Sequence, residues 1–456
     1  MKGTDIMKTA NKKTKQTSEK PNTQPTAHSS QRGVALIASA RTPFLNTATA
    51  YSPLMSYELA AYAIQGVMQR CPRAIDDLGL VVLGTVLHEV NTTNVAREAM
   101  LKAGLSSRIP AYTVAMAGIS PNVGVSNICD MILLGRIKVG LAGGTDNFSD
   151  VPIRLSQPIR RSAMKLRNQS TISGYLNAIK SLRFKDLSLD IPKSADYTTK
   201  LTMGQSCEAM GRRFGVSRLT SDEYTLQGQR NATQAIEQGL LAAQIVPITI
   251  DGQQVRQDQP PRVSSLAQLA ALKPVFETNG VITAGNASKF SDGAGAVLLA
   301  DIDYAKQHNL DIQALIVDYE WSGVDDLNHE MLLGPAMTIP VVLKRHQLQF
   351  SDIDVWEIHE AFAAQVLINR TCMADAEFVH ARFGADYPFG EIPLDKLNLW
   401  GGSISLGNPF AATGVRLLQT AAQRLKHEGG RYAIVATCAG GGLGAAYLIE
   451  NIDQAL

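Results

Sequence analysis

Two segments far apart in this chain repeat each other: GRIKVGLAGGTD (135–146) and GGRYAIVATCAGGG (429–442). Each is a short apolar run ending in glycines, and each follows a segment with apolar residues at helical spacing, 119–134 and 411–426. A helix feeding a buried strand, twice, restricts the chain to an α/β architecture with two similar halves. The corresponding helix starts, near Gly118 and Asn408, are then expected to face a shared centre.

The intervening pattern fills in the first half. Val34-Ala-Leu-Ile reads as a strand, 56–69 as a helix, 80–87 as a strand, 91–104 as a helix and 111–115 as a strand. Such alternation predicts a parallel sheet covered on both faces. The less regular stretch 151–280 reads as an insertion, with a helix over 203–214 and another that Ser221 would cap. GVITAGNASKFSDGAGAVLLA (280–300) returns to small residues before an apolar strand, forming either a ligand-facing turn or a tight strand contact. The expected organisation is a tail (1–33), a first half (34–150 with 281–305), an inserted loop domain (151–280) and a second half (306–456).

Composition bounds the function. With 456 residues, 45% hydrophobic and 18% charged, the chain can build a large core. A net charge of +2 gives no nucleic-acid signature. Cys71, Cys129, Cys207, Cys372 and Cys438 show no CxxC pairing, so neither a zinc site nor a disulfide framework is expected. No apolar run reaches transmembrane length. The tail is polar, which predicts disorder. It is Lys-rich and carries Asp5 and Glu19, whereas import peptides are Arg-rich and acid-poor. A bacterial cytoplasm is therefore favoured over a mitochondrial matrix.

Charge is concentrated in one place. Between 151 and 185 lie Arg154, Arg160, Arg161, Lys165, Arg167, Lys180, Arg183 and Lys185 with no acid, interleaved with Leu176, Ile179, Leu182 and Phe184. This block suits the phosphates of a bulky anionic ligand, an anionic membrane or partner, or simply a solvated face.

The chemistry-bearing residues gather at predicted strand and helix ends. In NLWGGSISLGNPFAATGVR (398–416) the glycines permit close backbone approach, and Pro409 suits a helix's first turn. That turn would bring Asn408 to the positive end of a helix, which attracts anions. His359, in WEIHEAF (356–362), sits where open α/β sheets place ligands, although a lone His is also a common core residue. Cys438, before three glycines, is either a thiol of lowered pKa acting as base or nucleophile, or a buried inert cysteine.

Together HEAFAAQ (359–365), GGSISLGNPFAATG (401–414), CAGGG (438–442), TAGNAS (283–288) and RTPF (41–44) resemble a thiolase. HEAF, SDVPIR (149–154) and the basic insertion most resemble the thiolase (β) subunit of fatty-acid oxidation trifunctional complexes. The resemblance runs from about residue 34 to the end. It implies the thiolase fold, coenzyme A or acyl-CoA as ligand with no covalent cofactor or metal, and a homodimer or homotetramer. It also implies a hydratase/dehydrogenase subunit as partner and peripheral membrane contact through 154–185.

By the same resemblance His359 matches the oxyanion-hole group, Cys438 the acid/base cysteine and Ser288 a residue lining the pantetheine. Two family catalytic positions are replaced. Gly118 stands where the nucleophilic cysteine belongs, and Asn408 where the His of GHP belongs. Glycine offers no nucleophile, and an amide takes no proton near neutral pH, although it still donates hydrogen bonds. Cys129 is no substitute, because eleven residues of helix (129 − 118) span about 16 Å. The expectation is an acyl-CoA-binding protein of the fatty-acid β-oxidation type without ordinary thiolysis. The alternatives are an active acyl-CoA C-acyltransferase, or an enzyme using Cys438 and His359 for proton transfer or condensation.

Overall fold

The computed structural model describes residues 33–455 except 168, 174–185, 187 and 386–387. The tail 1–32 lies outside the described residues, as do Lys180, Arg183, Lys185 and the apolar Leu176, Ile179, Leu182 and Phe184 of the basic block.

Among the described residues the main sheet has ten strands, of which the two-residue Leu45–Asn46 pairs to one side and nine form its path: β1 (Val34–Arg41), β2 (Leu78–Gly84), β3 (Ala111–Val114), β4 (Val139–Asp146), β5 (Ser291–Asp301), β6 (Ala314–Gly323), β7 (Val355–Ile358), β8 (Tyr432–Ala439) and β9 (Leu443–Glu450). Their spatial order is β7-β8-β9-β6-β1-β5-β4-β2-β3. The duplication read from the sequence appears here as topology. The run β2-β4-β5-β1 recurs as β7-β8-β9-β6, each with one parallel pair followed by two antiparallel pairs. Val34 to Leu36 of β1 pair with β6 and join the halves.

The sheet is therefore mixed, which corrects the expected parallel one. β9 follows β8 through a turn with Gly441 and Gly442 at φ +81° and +72°. So short a connection permits only an antiparallel neighbour. β5 likewise returns antiparallel beside β4.

Eight of the helices among the described residues pack around this sheet and the site: α1 (Ser56–Arg70), α2 (Val95–Lys102), α3 (Ser120–Leu133), α4 (Met203–Phe214), α5 (Arg218–Glu237), α6 (Gly334–Arg345), α7 (Ala363–Ala374) and α8 (Phe410–Glu428). Strand alternation sorts residues between layers. In β5, Ala296, Leu298 and Ala300 pack with Leu59 and Ile64 of α1. Val297 and Leu299 face the other way, joining Ile128 of α3 and Leu417 and Leu418 of α8. That second cluster also takes Val435 and Tyr447 from the other half, so α3 and α8 are sandwiched centrally. Each fully buried Leu or Ile there contributes about 1.5–3 kcal/mol. Ile339 of α6 and Val366 of α7 cover the far face of the second half.

Glycines set how closely α8 docks. A Cβ on Gly144 would fall 1.8 Å from the Ala411 carbonyl oxygen, and one on Gly414 would fall 2.1 Å from Asn122 Oδ1. β4 runs on through its glycine pair to Asp146. Helix α5 starts earlier than expected. Ser217, not Ser221, caps it by accepting the Thr220 N–H at 3.1 Å, while the Ser221 hydroxyl donates to the Ser217 carbonyl.

Candidate active site

β7 and β8 run parallel with Ile358 opposite Ala436, and the His359 N–H donates to the Ala436 carbonyl at 2.8 Å. His359 and Cys438 thus stand at the carboxyl ends of adjacent parallel strands. His359 is buried, its Nδ1 3.0 Å from Ser403 Oγ. Ser403 Oγ in turn accepts from Arg416 Nη2 at 3.0 Å. Burial, aided by the Arg416 guanidinium, pushes the imidazole down to about 3, so the ring is neutral near pH 7.

The neighbouring Glu360 holds this corner together. It accepts from Tyr224 Oη and Asn398 Nδ2, each at 2.7 Å, and from the Ile404 N–H at 3.1 Å. A Cβ on Gly402 would lie 2.0 Å from the Glu360 carboxyl carbon, which explains the glycine before Ser403.

Asn408 is anchored from both ends of its amide. Nδ2 donates to Ser288 Oγ at 3.1 Å, and Oδ1 accepts from Thr413 Oγ1 at 2.9 Å. Ser288 donates its N–H to the Ala361 carbonyl, tying this pair to the strand end that carries His359. The helix start beside Asn408 is not open to a ligand, contrary to expectation. Its Ala411 N–H donates to Asp146 Oδ2 at 2.7 Å, so a buried carboxylate already occupies the positive end. Burial raises Asp146 to about 6, against the N–H bonds from Val86, Leu87 and Ala411.

Gly118 lies just before α3 and against β8. A Cβ there would meet Ala439 Cβ at 3.5 Å and the Cys438 carbonyl oxygen at 3.6 Å, which is ordinary van der Waals contact. The turn around it is sharp: Ala117 holds φ +48°, while Ser120 Oγ donates to the Ala117 carbonyl and accepts the Met116 N–H. A left-handed non-glycine residue of this kind costs about 1–3 kcal/mol.

Of the two readings of Cys438, the structure does not give the lowered pKa. The residue is 3% exposed, and burial pushes its thiol up to about 12. The glycines that follow it form the β8–β9 turn. Cys129 sits in the core beside Ile128 and Ile132, its thiol pushed far up by burial. Among the described residues no cluster of His, Cys, Asp or Glu fits a metal ion.

The sequence-predicted residues thus fall into two connected groups. His359, Ser288 and Asn408 share one chain of contacts, and Gly118 lies against Cys438. Paired strands β7 and β8 join them, as does the crossing of α3 and α8, where Asn122 meets both Gly414 and the Thr437 hydroxyl.

Family models match nearly the whole of this arrangement. One described as "Thiolase, N-terminal domain" matches residues 34–303, and one described as "Thiolase, C-terminal domain" matches 310–451. The chain belongs to the thiolase family. Its fold is the thiolase fold, with two duplicated α/β halves. The chain is 40% identical over 440 residues to the mitochondrial trifunctional enzyme subunit beta of Bos taurus, covering 96% of this chain and 90% of that protein. It is 35% identical to a 3-ketoacyl-CoA thiolase of Serratia proteamaculans over 91% of this chain and 96% of that one. Among solved structures, human mitochondrial 3-ketoacyl-CoA thiolase in complex with CoA superposes with TM-score 0.77 at 28% identity. That match covers 92% of this chain and 98% of the other.

Sequence reasoning missed Ser403, Arg416 and Glu360 as parts of this thiolase site. Arg416 did carry a signal, since it is a cation among the apolar positions of a helix buried on all sides.

Proposed function

We propose that this thiolase-family protein binds acyl-CoA and does not perform ordinary thiolysis. The observation that carries this reading is Gly118: the position beside Cys438 keeps room for a side chain and has none. Without a nucleophile there, no acyl-enzyme forms and the two-step transfer has no first step. Asn408 reinforces it, because its amide takes no proton near neutral pH and is already engaged by Ser288 and Thr413. In this reading His359 donates to the thioester oxygen, and Ser288 lines the pantetheine arm.

Two features support retained binding. The turn at Ala117 is left-handed, and both Glu360 carboxylate oxygens beside the short helix Ser403–Leu406 are hydrogen-bonded. An enzyme using Cys438 and His359 for proton exchange is less well supported. A thiol pushed up to about 12 gives up its proton poorly near neutrality, and a neutral imidazole at about 3 accepts one poorly.

Calorimetric titration with acetyl-CoA, beside a thiolysis assay on 3-ketoacyl-CoA substrates, tests the reading. Saturable binding without turnover is expected. Absence of binding, or clear turnover, overturns it.

For partners, we propose a homo-oligomer and association with a second subunit of fatty-acid oxidation. One relative is named as a subunit of a trifunctional enzyme. The exposed helix Gln157–Arg167, bearing Arg160, Arg161, Lys165 and Arg167, is the surface we assign to that association. No helix among the described residues is long and apolar enough to cross a membrane.

A further inference from the structure

We propose that Ser403 and Arg416 are positioning residues that hold His359 in the tautomer with its proton on Nε2, so that the ring presents a hydrogen-bond donor. The use of that donor on a thioester oxygen rests on the acyl-CoA reading above; the tautomer itself does not.

Donor and acceptor supply around Ser403 places the proton. Arginine has donors only, so the 3.0 Å contact between Arg416 Nη2 and Ser403 Oγ has the guanidinium donating. A serine hydroxyl owns a single proton. Ser403 is fully buried, and its Oγ meets two partners among the described residues, Arg416 Nη2 and His359 Nδ1. Were the histidine proton on Nδ1, Oγ would accept twice and its own proton would be buried without an acceptor, which folded proteins avoid. The hydroxyl therefore donates to Nδ1, and the neutral ring carries its proton on Nε2. That nitrogen meets no hydrogen-bond partner among the described residues, and the ring keeps 7% exposure, so the donor is left for a ligand.

Arg416 acts here through Ser403 and through its charge. It is 1% exposed, and its Nε and Nη1 have no hydrogen-bond partner. Its nearest carboxylate, Glu357 Oε2, is 3.8 Å from Nη1 and belongs to a group that also pairs with Arg424 at 2.9 Å. A guanidinium so weakly engaged costs stability. Its contact with Ser403 and its cationic field beside His359 account for its place: the first fixes the ring's proton and the second opposes protonation of Nδ1. The short helix Ser403–Leu406 is pinned independently by Glu360, through the Ile404 N–H and the close approach at Gly402.

The test is nitrogen NMR on full-length protein labelled at histidine, with acetyl-CoA binding measured alongside. The chain holds eight histidines, and the His359 signals are those lost in His359→Gln. The wild type is expected to show a protonated Nε2 and an unprotonated Nδ1. Ser403→Ala, which frees Nδ1, is expected to give a mixture of tautomers and a severalfold weaker acetyl-CoA affinity. Ser403→Thr, which keeps the hydroxyl, is expected to restore both. A wild-type ring protonated on Nδ1 overturns the proposal without any variant, as does a Ser403→Ala spectrum unchanged from wild type. If the tautomer responds as expected while no form of the protein binds acetyl-CoA, the positioning stands and the acyl-CoA reading falls.

Discussion

His359 shows what burial does to a single residue. Its ordinary value of 6.5 falls to about 3 in the folded protein, through desolvation first and the Arg416 charge second. In the unfolded chain the ring takes a proton below about pH 6.5. The unfolded state therefore binds more protons than the folded one between those values, and stability falls as pH drops through that window. Relative to His359→Gln, the wild type should lose up to about 1.4 kcal/mol per pH unit between pH 6 and 4. Urea titrations at several pH values measure this, and parallel curves for the two proteins would contradict it. The identity of this residue and its place at a strand end were legible in the sequence. Its partners were not, because Ser403 and Arg416 lie 44 and 57 residues away (403 − 359 and 416 − 359) and meet it only through tertiary packing. The two readings of Cys438 stayed open in the sequence for a related reason. Adjacent glycines suggest N–H donors, but whether they face the thiol or make a turn depends on β9 coming next.

At the scale of elements, the paired helices α3 and α8 carry the duplication, and glycines decide how they seat. Gly144→Ala would drive a methyl into the Ala411 carbonyl, with no room for the helix to yield against β4. A loss at or above the upper end of about 1–3 kcal/mol is expected. Gly118→Ala, by contrast, places its methyl at 3.5 Å from Ala439 and should change stability by less than about 0.5 kcal/mol. Denaturant unfolding of the two variants side by side measures the difference; equal losses would mean that the room beside Cys438 is not real. The helix and strand cores of both halves were readable from periodicity, with α4 bounded as expected at Met203 and Phe214. Strand direction was not readable. Hydrophobic pattern reports which faces are buried and is blind to whether a neighbour runs parallel, so β5 and β9 turned an expected parallel sheet into a mixed one. The glycine pair of β4 read as a strand end for the same local reason, when its meaning lies in the helix packed across it.

Over the whole molecule, charge is nearly balanced, and one face departs from that balance. The helix Gln157–Arg167 exposes Arg161, Lys165 and Met164, with Ile153 and Leu155 exposed just before it. Arg160 is partly engaged with Asp190, a surface pair worth about 0–1 kcal/mol at most. Reversing Arg160, Arg161 and Lys165 to glutamate should weaken association with the second oxidation subunit and flatten its salt dependence, without altering acetyl-CoA binding. Unchanged affinity in a titration of the two purified subunits would remove the surface from consideration. In the function proposed above, Gly118 and Asn408 stand where the acylation pair of a working thiolase would be. The most direct measurement is thiolysis of a 3-ketoacyl-CoA series by the wild type and by the Gly118→Cys, Asn408→His double variant. A silent wild type beside an active double variant is predicted, because in the proposed reading those two side chains are what the acylation step lacks. Turnover by the wild type would contradict the account and move attention to Cys438, with Cys438→Ser as the variant that decides.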